Sequence, residues 1–93
     1  ETNRGYTSLH IAAHKGYFDI LDHLICLGAD IHKTTHNGWL TPLLIASKEG
    51  HTDIVELLIK SGASLNETTP DGLTPLLITL LWNHIDTAKL LIQ

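Results

Sequence analysis

The chain has 93 residues and a mass of 10.2 kDa, which is room for one small domain rather than two. It is 43% apolar and 17% charged, the balance of a folded chain and not a disordered one. Its net charge of −4 argues against a nucleic-acid backbone as partner, since phosphate binding calls for clustered Lys and Arg. The single Cys26 excludes an internal disulfide framework and suits a reducing compartment. No apolar run is long enough to span a bilayer, and no signal peptide is visible. Seven His outnumber the six Lys plus Arg, which raises the question of a metal site.

In chain order, the first candidate helix opens after Thr7 and runs toward Gly16. A second carries Asp19 at its start, where a carboxylate meets the positive end of the helix, and closes at Gly28. A polar stretch, Lys33 to Gly38, ends on the turn dipeptide Asn37-Gly38. The next helix is predicted from Pro42 to Glu49. Thr41 stands at its N-cap, Pro42 sits where no hydrogen bond is lost, and Gly50 stops it. A fourth helix starts near Asp53, with Asp53 and Glu56 at approximate capping-box spacing. Ile54, Val55, Leu57 and Leu58 form its apolar face, and Gly62 closes it. Asn66 to Gly72 is a second polar stretch, with the turn pair Asp71-Gly72. Thr74-Pro75 then opens a fifth helix, Asn83 ends it, and Asp86 begins a sixth. The polar stretches read as short hairpins projecting from the helices.

The elements recur. Thr7-Ser8-Leu9-His10, Thr41-Pro42-Leu43-Leu44 and Thr74-Pro75-Leu76-Leu77 lie 34 and 33 residues apart. Gly5, Gly38 and Gly72 lie 33 and 34 apart, which places a one-residue insertion at Trp39 or Leu40. A fixed period of this size means stacked units, each too small to bury its own apolar faces.

These residues resemble the ankyrin repeat family over the whole chain. The middle unit carries the likeness best: Asn37-Gly38, Thr41-Pro42-Leu43, Ala46, Gly50-His51, Ile54-Val55, Leu57-Leu58-Ile59, Gly62-Ala63 and Asn66. The resemblance implies an all-α solenoid of stacked helix-turn-helix units with short β-hairpin fingers. The repeats span about 2–34, 35–68 and 69–93, the last truncated. It also implies binding of another protein through the concave surface of fingers and inner helices, with no catalytic residues and no cofactor. On that surface fall Tyr6, His14, Lys15, His36, Asn37, Trp39, Leu40, Lys48, Glu49, Pro70, Asp71, Leu73, Leu81 and Trp82. The two Trp are the expected anchors. Asn66 matches the position at which ankyrin repeats resemble targets of asparagine hydroxylation.

Departures from the family pattern are specific. Leu44 and Leu77 replace the usual His, so only His10 keeps a polar link to the neighbouring turn. Thr2, Thr35 and Thr69 replace the usual Asp that starts each finger, with a weaker local bond expected. Leu80 stands where Ala13 and Ser47 let helices approach closely, so a misfit of about 1–3 kcal/mol is expected if the core does not adjust.

Chemistry-bearing residues otherwise lead back to structure. His10 and His14 share the i, i+4 spacing of zinc proteases, but Ile11 follows the first His and no third ligand is in register. Asp19, Asp53 and Asp86 stand one unit apart, too far to share a reacting group. Cys26 is expected as a buried or half-buried helix residue. The sequence therefore points to no metal site. The expected molecule is a monomer or part of a longer array, in the cytoplasm or nucleus, with no membrane insertion. Two other roles are open to it: a substrate-recruiting or regulatory segment of a larger enzyme or effector, and a structural spacer.

Overall fold

The computed structural model describes residues 8–34 and 40–92. Within them lie six helices: α1 (Ser8–Lys15), α2 (Phe18–Cys26), α3 (Pro42–Glu49), α4 (Thr52–Lys60), α5 (Pro75–Leu81) and α6 (Ile85–Ile92). Helices α1, α3 and α5 pack side by side as an inner layer, and α2, α4 and α6 form an outer layer behind them. Each inner helix also packs on the outer helix that follows it, so the fold is three stacked helix pairs.

The helix limits have local causes. Thr41 and Thr74 adopt extended backbone, and their hydroxyls accept the N–H groups of Leu44 and Leu77 at 3.3 and 3.2 Å. Pro42 and Pro75 follow in the first turn. At the other end Gly50 and Asn83 take left-handed backbone, at φ 77° and 61°. The predicted span of α3 is the observed one. The expected capping box at α4 does not form. That helix begins one residue earlier than Asp53, at Thr52, with His51 as N-cap and no side-chain cap; Glu56 instead pairs with Lys60 at 3.4 Å. Asp19, Asp53 and Asp86 do lie in the first turns of α2, α4 and α6.

The core runs along the seam between the layers. Leu9, Leu21, Leu43, Ile45, Ile54, Val55 and Leu58 are buried there. Each such aliphatic side chain contributes about 1.5–3 kcal/mol by leaving water. Ala12, Ala13, Ala46 and Ser47 are also buried and keep the inner helices close. The Ser47 hydroxyl returns its hydrogen bond to the Leu43 carbonyl at 2.8 Å. Cys26, expected to be at least half buried, is exposed. It shares its repeat position with Lys60, which is also exposed, so the position belongs to the solvent side of the outer helix.

No strand forms among the described residues. The loop before α5 is instead closed by one turn. The Thr69 N–H donates to the Leu73 carbonyl at 3.0 Å, and the Gly72 N–H to the Thr69 carbonyl at 2.8 Å. The Thr69 hydroxyl accepts the Leu73 N–H at 3.2 Å, the local bond expected of a Thr at a finger start.

Thr41 does more than cap a helix. Its hydroxyl donates to the Glu67 carboxylate, which also lies 3.8 Å from His32. Thr41→Val therefore removes a cap and strips a half-buried carboxylate of a donor, whereas Thr74→Val removes a cap alone. Urea unfolding should show losses of about 2 and about 1 kcal/mol respectively. Equal losses would contradict the second role.

Candidate functional site

Helix α5 ends at Leu81, and Trp82 follows as its C-cap, its N–H bonded to the Ile78 carbonyl at 3.0 Å. The indole is about half exposed and leans toward the closed loop 69–73. Between them lies a groove of about 180 Å³, lined by Leu40, Lys48, Thr69, Asp71, Leu73, Ile78 and Trp82. Its walls are mostly apolar, with one cation and one carboxylate at the edge. The Lys48 ammonium sits 5.4 Å from the centre of the Trp82 ring, a cation–π distance.

Five residues expected at the partner surface thus come together from three segments: Leu40, Lys48, Asp71, Leu73 and Trp82. Thr69 and Ile78 complete the groove, and sequence reasoning missed both. Ile78 had a usable signal, one helical turn before Trp82 on α5. Thr69 had been assigned only the local bond that it makes. The other expected residues are spread out. Glu49 pairs with His14 at 3.4 Å, and neither lines the groove. Lys15, Pro70 and Leu81 are exposed, with no part in the lining. Tyr6, His36, Asn37 and Trp39 lie outside the described residues. Asn66 is exposed in the loop after α4, its N–H held by the Ser64 hydroxyl at 3.1 Å.

The histidines serve the scaffold that carries this groove. His10 is fully buried, and its Nε2–H donates to the Lys33 carbonyl at 2.7 Å. Burial pushes its pKa below the ordinary value of 6.5, against a partial upward pull from that carbonyl. His51 reaches back to the preceding helix pair, donating from Nε2 to the His14 carbonyl at 3.0 Å. His84 repeats the contact on the Lys48 carbonyl at 2.7 Å. Each ring covers a glycine. A Cβ on Gly16 would come within 2.8 Å of His51, and one on Gly50 within 2.5 Å of His84. His10 and His14, which sequence spacing places on one helix face, have different partners: a carbonyl for one, a carboxylate for the other. Among the described residues no three His, Cys, Asp or Glu side chains gather to hold a metal ion.

A larger hollow of about 300 Å³ lies at the start of α6, lined by Gly50, Thr52, Asn83, His84, Ile85, Asp86 and Thr87. Several of its polar groups already have partners. The Thr52 and Thr87 hydroxyls bond each other at 2.7 Å, and His84 is committed to Lys48. It is a joint between helix pairs, with no residue expected to bind.

The family model of ankyrin repeats in three copies matches residues 9–93. The chain belongs to the ankyrin repeat family. Comparison with curated proteins finds no match. Ankyrin repeats are in general modules of protein–protein interaction and typically have no catalytic activity. In this ankyrin domain the paired helices supply the solenoid, and the groove lies on its inner-helix side. No described helix is long and apolar enough to cross a membrane.

Proposed function

We propose that this ankyrin domain binds a partner protein by seating an apolar side chain in the groove between loop 69–73 and α5. The observation that carries the reading is the convergence of Trp82, Lys48, Leu40, Leu73 and Asp71 on one small hollow. Size decides between ligand classes. Small-molecule sites usually hold about 300–1,000 Å³, and 180 Å³ suits a single aliphatic side chain of a larger partner. Trp82 offers a rigid apolar wall, and Lys48 and Asp71 lie where opposite charges on the partner would fix its direction.

Selection of binding peptides from a random library on the folded domain tests this. Binders should lose affinity about 10- to 100-fold on Trp82→Ala, as for an interface anchor. They should lose none on Leu27→Ala, which alters an exposed apolar side chain after α2. Trp82 is half exposed, so the same substitution should leave stability within about 1 kcal/mol. Affinity insensitive to Trp82→Ala would refute the anchor.

A further inference from the structure

The contact between Lys48 and Trp82 has a counterpart one helix pair earlier. Lys48 stands at the repeat position of His14, and Trp82 at that of Glu49. At the junction of the first and second pairs, the His14 Nε2 and the Glu49 carboxylate lie 3.4 Å apart, a basic group facing its counter-ion. At the junction of the second and third pairs, the same two positions hold the Lys48 ammonium and the Trp82 ring, 5.4 Å from nitrogen to ring centre. The position that supplies a carboxylate at one junction supplies an aromatic face at the other. Both sides of this second junction belong to described helix pairs, so the groove it borders is not an end face of the stack.

Lys48 is thereby left as a cation without a counter-ion. Among the described residues its ammonium makes no ion pair. Its backbone carbonyl holds His84, but its side chain is exposed and meets the Trp82 ring. The neighbouring Glu49 is turned to His14. Asp71, the carboxylate in the groove lining, forms no ion pair with Lys48 either. An ammonium has three N–H donors, and a ring face covers one side of it and accepts no full hydrogen bond in return.

We infer that the partner supplies the missing counter-ion: the segment that seats its aliphatic side chain against Trp82 carries an Asp or Glu beside it, aimed at Lys48. This rests on the proposed role of the groove and gives the partner a chemical class, an apolar anchor next to a carboxylate. The indole excludes water from one side of the ammonium, which strengthens an ion pair formed there. The preference belongs to the site and not to the domain at large. The chain as a whole carries −4, so its overall field disfavours an acidic segment, and the attraction to one comes from Lys48.

Peptides selected from a random library on the folded domain, then synthesised singly and titrated by calorimetry, test the inference. Those whose affinity falls on Trp82→Ala occupy the groove. In these an Asp or Glu should stand beside the aliphatic anchor. Changing that acid to its amide should weaken binding to the native domain about fivefold, the upper end for a solvent-accessible ion pair. The same change should leave binding to Lys48→Met unaltered. Selection on Lys48→Glu should return Lys or Arg at the same place. The Lys48 side chain is exposed, and it is the carbonyl that holds His84, so both variants should keep the native circular dichroism. Trp82-dependent peptides that lack the acid, or an amide exchange that weakens binding equally on Lys48→Met, overturn the inference and leave the role of the groove standing. Peptides that are all indifferent to Trp82→Ala overturn both.

Discussion

Gly50→Ala should destabilise the domain by about 2–3 kcal/mol in urea unfolding, well beyond the usual cost of a glycine substitution. Two effects combine. Gly50 sits at φ 77°, where an L-residue is strained by about 1–2 kcal/mol. The new methyl would also come within 2.5 Å of the His84 ring. The ring has to move, and its hydrogen bond to the Lys48 carbonyl breaks with it, at a cost of about 1 kcal/mol. Gly62 separates the two effects. It has φ 105°, yet a Cβ there meets nothing within 4 Å, so Gly62→Ala should show the strain alone. The double variant Gly50→Ala with His84→Ala should cost less than the sum of the singles, because both break one contact. Equal losses at Gly50 and Gly62 would show that the His84 contact contributes nothing.

His10→Ala should cost about 3 kcal/mol at neutral pH. The side chain is fully buried, and its removal leaves a cavity as well as an unmet Lys33 carbonyl. The same residue gives stability a pH dependence of known sign. Burial lowers the pKa of His10 in the folded state below the 6.5 of the unfolded chain. The unfolded chain then binds the proton first as pH falls. Stability from this source is complete above pH 6.5 and declines below it, until the lowered folded pKa is reached. His10→Leu, which copies the buried Leu44 of the middle unit, should flatten this part of the profile. An unchanged slope between pH 6.5 and 5 in His10→Leu would contradict the assignment.

The features legible in sequence were those with local causes. Helix α3 was bounded correctly because Thr41-Pro42 and Gly50 act on their own backbone. Helix α4 starts at Thr52, beside the Asp53 near which its start was expected, and α2 likewise starts one residue before Asp19. The repeat register carried further than any single motif. It placed Trp82 at the end of an inner helix and Lys48 on the helix before it, and the family resemblance then put both on the expected partner surface. It did not place Ile78 or Thr69 in the groove, since a sequence position says which layer a side chain joins and not which hollow it lines. Cys26 was misjudged although the register held the answer in Lys60, its exposed counterpart. Leu80 was expected to strain a core contact. Its side chain stands more than half exposed, on the face of α5 turned away from α3.

Site-specific photo-crosslinking in the native cell tests the central claim most directly. A photoreactive residue placed at Leu73, in the groove, should capture a discrete partner. The same group at Glu56, on the outer layer, should not, and the Leu73 adduct should vanish on Trp82→Ala. Capture from Glu56 alone, or a Leu73 adduct indifferent to Trp82, would contradict the account.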